Sequence, residues 1–464
     1  MSEASKTITL ILWIALCFLQ SCNHRGVEPD GPDTGNPSGT DSTKTPVRPE
    51  FYDENTWIYG QMTMNYLWAG DMPDEEATNK ALEPLEYFYS LINKQKDRYS
   101  YAADNYAEIA DYWNGQLESF GFRYKQLTDG SGYKIAVSLV LKGSPAEEAG
   151  LSRGDLITAI DGDTPNMDNT GTLLQKQSAV FTVVTPEDSV KTLRISKKKF
   201  QVNPLQFFKI IEWEGKKIGY LVYTQFLFDY ETETRRIFQY FKDNRVDEMV
   251  FDLRFNPGGV TPNAEVMASL LAPDLGITVE LFHGSLNDYL TRQKLQNGES
   301  AVGQRYFTDE TANLSHLSRV FVLTSKSSAS SSELVINCLR PYRQVITVGG
   351  NTYGKNVVST IITDETGRYP YTLMPAWGTI INANNESSYG NKTGIPADYP
   401  VEENILPYRP LGDPSETLLS TALSIISGST PEDKTRKTNK VNLIDGFHHF
   451  DTGTGFLGNK RYNP

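Results

Sequence analysis

The residues best suited to chemistry in this chain are a run of serines, Ser327-Ser328-Ala329-Ser330-Ser331-Ser332, followed by Glu333 and set between a strand-like apolar run and a helical one. A serine at such a junction sits at a helix N-terminus, where unpaired backbone N–H groups and the positive dipole end favour developing negative charge. The same letters spell a capping box, Ser330 with Glu333 three residues on, which requires no catalysis. Serine becomes a nucleophile only beside a base. Lys355, in Thr352-Tyr353-Gly354-Lys355, offers an amine just past a buried-looking strand and a double glycine, whose freedom lets the chain fold back toward the serines. An exposed lysine stays charged and is no base, so desolvation, for which Tyr353 and Val357 are placed, has to lower its pKa. The third piece is Asp252-Leu253-Arg254-Phe255-Asn256-Pro257-Gly258-Gly259. It is a strand end followed by a narrow loop whose backbone N–H groups can approach a substrate carbonyl, with Asp252 and Arg254 suited to brace it. Read alone, it is a Pro-Gly turn.

Such residues need a scaffold, and the pattern after about Asn203 supplies one. KIGYLVYTQF, EMVFDLRF, RVFVLTS and QVITVGG read as strands; YETETRRIFQYFKDN, PNAEVMASLLA and SSSELVINCLR read as helices between them. Alternation of this kind predicts an α/β layer with a parallel or mixed sheet. Functional groups then collect in loops at the carboxyl ends of strands, here 256–259, 326–332 and 349–355. Upstream, residues 119–202 hold short β-rich runs punctuated by glycine, with one helix at 144–149 that Ser144 caps and Pro145 opens. Residues 51–118 carry aromatic and apolar side chains at helical spacing without strand alternation, which predicts a small helical domain. The expected fold is multidomain α+β: helical domain 51–118, β-rich domain 119–202, α/β catalytic domain 203–426, and a tail, 427–464, whose role the sequence does not disclose.

The 464 residues carry 57 acidic against 44 basic side chains, net charge −13. That surplus repels phosphate backbones and excludes nucleic acid as the expected partner. Lys6, the apolar run 8–19 and Leu19-Gln20-Ser21-Cys22 form a targeting segment, 1–21. Residues 23–50, rich in Gly, Pro, Asp, Ser and Thr, complete a flexible linker that starts at Cys22. Of three cysteines, Cys17 leaves with the leader and Cys22 stands at its boundary, so Cys338 alone remains and no internal disulfide is expected. Cys338 falls in an apolar helical stretch, where a buried structural thiol is the expectation.

The three catalytic pieces together resemble the C-terminal processing, or tail-specific, proteases, serine peptidases with a Ser/Lys dyad. In that family the nucleophile lies two residues before the Ser that precedes Glu, which selects Ser330 ahead of Ser332-Glu333. The base lies 25 residues further on, at Lys355, and the strand-end motif is intact from Asp252 to Gly259. The resemblance implies an oxyanion hole from Gly258 or Gly259 with the N–H of Ser331, and no metal or other cofactor. The β-rich region resembles a PDZ domain through Gly143 to Leu151, Gly154 to Ile157 and Ile160-Asp161-Gly162, which places Gly121-Phe122 in the loop that holds a peptide carboxylate while the peptide adds as a strand. Leu-Gln-Ser-Cys resembles a lipobox and implies a lipidated Cys22, anchoring the protein to a membrane of the bacterial envelope. Many members place Gln or Glu four residues after the lysine; here Ser359 stands there, and Asn356 replaces a glycine. Ser359 is therefore the candidate to orient Lys355.

Two other classes compete. A Ser-His-Asp hydrolase lacks support, since none of the five histidines (His24, His283, His316, His448, His449) lies in a base-like context and no Gly-x-Ser-x-Gly elbow occurs. A catalytically silent envelope protein that captures polypeptide C-termini on the same fold is the other, and Ser359 keeps it open.

Overall fold

The computed structural model describes residues 48–130, 132–406, 408–429, 442–444 and 447–451. The leader, Cys22 and most of the linker lie outside the described residues. The catalytic region is built on strands β6 (Leu205–Trp213), β7 (Lys216–Tyr223), β8 (Glu248–Asp252), β9 (Arg319–Thr324) and β10 (Gln344–Gly349), in the order β10-β9-β8-β7-β6 with Tyr399–Pro400 beyond β10. β6 and β7 are antiparallel; β7, β8, β9 and β10 run parallel. Helices α3 (Glu231–Asp243), α4 (Thr261–Leu271) and α5 (Ser331–Leu339) link the parallel strands.

Both faces of this sheet are covered, which is why its strands read as unbroken apolar runs. On β7, Leu221 and Tyr223 join α3, α4 and α5 in one core, while Ile218, Tyr220 and Val222 join α6 (Thr417–Ile426) in another. On β9, Val320 and Val322 face the first core and Phe321 and Leu323 the second. Because β8, β9 and β10 are parallel, the loops leaving their carboxyl ends open at one edge of the sheet. Those loops hold Gly258, Ser330 and Lys355.

The β-rich module is an antiparallel sheet of β1 (Phe122–Asp129), β2 (Gly132–Val140), β3 (Leu156–Ile160), β4 (Ser178–Val184) and β5 (Val190–Ser196) in that spatial order. Phe120, Phe122, Ile135, Val137, Ala146, Ile157 and Phe181 fill its core. Residues 116–119 pair with 198–201, drawing the module's two ends together. Ser144 Oγ accepts from Glu147 N at 3.2 Å to open the short helix Pro145–Glu148.

The expectation of a small helical domain over 51–118 is incomplete. It holds for α1 (Tyr52–Asn65) and α2 (Pro84–Ser90), but Tyr101–Ala103 is a strand paired with Thr372–Met374 of the catalytic region. Nor does the segment own a separate core: Ile58, Met62 and Phe88 pack with Val357, Leu373 and Ala376. Three- and four-residue strands carry too few residues for alternation to show.

Candidate active site

The serine run is explained by what each hydroxyl does. Ser325 Oγ donates to Arg254 O (2.5 Å), Ser328 Oγ to Leu253 O (2.8 Å), Ser331 Oγ to Gly259 O (2.7 Å) and Ser332 Oγ to Asn256 O (2.9 Å). Four serines thus stitch one loop to the other. Ser330 makes no such bond to that loop. It occupies the N-cap of α5 at φ 55°, ψ −113°, a region sparsely populated by any residue but glycine, and is partly buried. Strain of this kind costs about 1–3 kcal/mol and persists only where surroundings enforce it. The enforcing contact is the capping box itself: Ser330 N donates to Glu333 Oε2 at 2.9 Å. Cap and candidate nucleophile, rivals in the sequence, are one residue.

Glu333 does more than cap. Fully buried, it also accepts from Lys355 N through Oε2 (2.8 Å), and from Gly354 N (2.6 Å) and Thr352 Oγ1 (2.5 Å) through Oε1. One carboxylate oxygen therefore holds the backbones of Ser330 and Lys355 together, although they are 25 positions apart. Burial raises the Glu333 pKa against the pull of these donors. The lysine loop is gripped from outside as well. Arg98 Nη2 donates to Tyr353 O (3.1 Å), Gly354 O (2.7 Å) and Asn391 O (2.8 Å), and Tyr99 Oη to Gly354 O (2.7 Å). Gly354 is required at φ +94°, since a Cβ there would lie 1.8 Å from Asn391 O. Lys326 Nζ donates to Thr352 O at 3.0 Å and also to Lys392 O, so it serves as a clamp on the same loop.

Gly258, at φ +102°, lies directly against the serine: a Cβ would fall 2.7 Å from Ser330 Cβ and 2.9 Å from Ser331 N. Its own N–H is committed to Asn256 Oδ1 at 2.8 Å. Gly259 N and Ser331 N form no hydrogen bond among the described residues. The bracing role read for Asp252 and Arg254 is larger than a pair. Arg254, fully buried, bonds Asp252 Oδ1 through Nε (2.9 Å), Glu403 Oε1 through Nη1 (2.8 Å), and Glu416 through Nη1 (2.7 Å) and Nη2 (3.0 Å). The two glutamates and Arg98 carry no local sequence signal, being isolated charges far along the chain.

Ser359 does not meet the expectation placed on it. Its hydroxyl, buried on the strand Val357–Ser359, has no hydrogen-bond partner among the described residues, so a bond to Lys355 is not made. Cys338 is fully buried in α5, and burial pushes its thiol pKa up, which suits a structural thiol. Gly121 and Phe122 lie at the start of β1, and their N–H groups both point at one carboxylate, that of Asp451.

A serine at a strained helix start, a lysine loop held to it by a shared carboxylate, a glycine loop against its Cβ and a flanking antiparallel module define a PDZ-bearing serine peptidase. Family profiles agree: peptidase S41 N-terminal domain over residues 53–101, PDZ domain over 137–185 and peptidase family S41 over 217–400. The chain is 29% identical over 384 residues to a carboxyl-terminal-processing protease of Picosynechococcus sp., covering 81% of this chain and 84% of that protein. It is 23% identical over 332 residues to a carboxyl-terminal-processing protease of Synechocystis sp., covering 70% and 72%. Among solved structures, a putative S41 protease from Bacteroides fragilis superposes with a TM-score of 0.67 at 28% identity, over 80% of this chain and 97% of that one. Residues 217–400 thus match peptidase family S41, and the likeness to a carboxyl-terminal-processing protease extends over most of the chain.

Proposed function

We propose that this peptidase cuts polypeptides near their C-termini by acyl transfer from Ser330, with Lys355 as general base. The observation that carries this reading is the shared Glu333 oxygen, 2.9 Å from Ser330 N and 2.8 Å from Lys355 N. The uncharged Lys355 amine takes the Ser330 proton as Oγ bonds to the scissile carbonyl carbon. The oxyanion so formed takes N–H donors from Gly259 and Ser331, Gly258 N being engaged by Asn256 and Gly258 serving to bring bare backbone against the serine. The C–N bond then breaks, the Lys355 ammonium returns its proton to the leaving amine, and water releases the acyl group. Ser359 is left out of the proton path.

The substrate end of the reading comes from the PDZ module, whose Gly121 and Phe122 amides suit a terminal carboxylate, and from the names of the cyanobacterial relatives. Lipid attachment at Cys22 would hold the enzyme at the bacterial envelope. Incubation with an unfolded protein substrate tests the chemistry. The wild-type chain cleaves it, and Ser330→Ala and Lys355→Ala each lower kcat by about 10³-fold or more while both variants stay folded. Loss in the serine variant alone removes Lys355 as base; no cleavage by the wild type leaves a protein that binds C-termini without cutting.

A further inference from the structure

β1 is the strand a peptide would extend, and the chain fills that place with its own C-terminal segment. Asn442 and Leu443 pair antiparallel with Thr128 and Leu127, and Ile444 N donates to Gln126 O at 3.1 Å. His449 and Phe450 pair with Tyr124 and Arg123, and the His449 ring stacks on Tyr124 at 5.4 Å between centroids. The run ends on Asp451, 1% exposed, whose Oδ2 accepts from Gly121 N and, at 2.9 Å, from Phe122 N. These are the two amides that a terminal carboxylate would take, and strand direction and anion position both match a bound peptide.

Between the two paired stretches, six sequence steps from Leu443 to His449 stand against three from Leu127 to Tyr124, a slip of three residues. Phe447 and His448 fall in that slip and reach the catalytic loops. His448 N donates to Ser327 Oγ at 2.8 Å, its ring meets Phe255 edge-on at 4.6 Å, and Nε2 lies 3.1 Å from Glu403 Oε2. The Phe447 ring stands 6.3 Å from that of Tyr353, two residues before Lys355.

We propose that residues 442–444 and 447–451 are an intramolecular ligand of the PDZ groove, the Asp451 side chain standing in for a terminal carboxylate, and that a polypeptide C-terminus has to displace them. The inference rests on reading the β1 groove as the C-terminus site. A tethered ligand acts at an effective concentration of about millimolar, so a free peptide of ordinary micromolar affinity competes poorly against it. The occupant also sets the ligand class: an extended peptide ending on a carboxylate, with an aromatic or imidazole ring two residues earlier to stack on Tyr124.

Binding, measured apart from cleavage, tests this. A fluorescein-labelled peptide of residues 442–451 is titrated by anisotropy against three full-length or truncated chains, all carrying Ser330→Ala so that nothing is cut. These are Ser330→Ala alone, Ser330→Ala with Asp451→Lys, and Ser330→Ala ending at Ser429. Both tail variants are expected to bind at least about tenfold more tightly than the first. If the truncated chain does not fold, the point variant decides. Equal affinity in the folded chains, or saturable binding in none, overturns the proposal. Failure of the proteolytic reading would appear only in cleavage by the wild type and leaves these titrations unchanged.

Discussion

At the scale of single residues, Glu333 does the most that its sequence context conceals. As part of Ser-x-x-Glu it reads as a cap, and it is one, yet three further donors from the lysine loop converge on it. Its role is positioning, because nothing places it against substrate. Replacing it with Gln presents an N–H₂ group where Oε1 or Oε2 accepted, so either Gly354 N or both Ser330 N and Lys355 N lose their acceptor. Displacements of about 1 Å at a reacting pair cost roughly 10²-fold in rate. Glu333→Gln is therefore expected to lower kcat by about 10²-fold with KM changed little, measured on an unfolded protein substrate; Glu333→Asp, which keeps both acceptors, should recover part of the loss. An unchanged kcat would deny Glu333 the positioning role. The proposed nucleophile stands out in the sequence only through spacing: six serines share the stretch, and composition cannot tell the one that stands strained at the cap from the four that tie down a neighbouring loop. Ser359 shows the opposite failure, since a matching position does not guarantee a matching bond.

At the scale of elements, the strands and helices of the catalytic sheet were readable because burial on both faces leaves long apolar runs, while α3 shows its buried Ile237, Phe238 and Phe241 at helical spacing. The short pairings were not, and neither was the tail, whose strands of two residues have no period. Their partners are fixed by tertiary contacts, above all by Asp451. Burial pushes its carboxyl up to about 6, against the pull of the Phe122 and Gly121 amides and of Lys197 and Arg123. The ordinary value is 3.8, so the docked form holds its proton more tightly than the undocked one. Docking energy from this group is then fully present below pH 3.8 and is lost as pH rises through about 6. Lys197 and Arg123 stay cationic across that window and do not reverse the sign. Amide exchange at Ile444, corrected for its intrinsic rate, should accelerate about 10- to 100-fold from pH 4 to pH 7. Constant protection, or slower exchange at pH 7, would show that the carboxylate docks in its ionised form without penalty.

At the scale of the whole molecule, the three regions meet on a buried set of charges. Glu403 accepts a hydrogen bond from Arg254 of the glycine loop (2.8 Å), forms an ion pair with Lys125 of β1 (2.9 Å), and also faces Arg153 (3.5 Å) and His448 (3.1 Å). Strand β1, the catalytic loop and the tail thus share one carboxylate, whose pKa its cationic neighbours hold well below the usual range despite burial. Asp252 is the exception: burial raises its pKa more than Arg254 lowers it. Buried charges of this kind add little net stability when complete, but removing one partner costs about 3–5 kcal/mol because the others stay desolvated and unpaired. Arg254→Met leaves three carboxylates, Asp252, Glu403 and Glu416, without their common cation. The variant is expected to lose that amount at pH 7, read from thermal or denaturant unfolding, and to lose activity with it, since Arg254 O and Asn256 O are the acceptors that fasten the serine loop. The deficit should shrink toward acid. Unpaired buried carboxylates have raised pKa values, so protonation relieves them as pH falls, whereas the wild type gives up its ion pairs over the same range. A variant as stable as the wild type at pH 7, or a deficit that widens as the solution is acidified, would mean that packing rather than charge holds the glycine loop against Ser330.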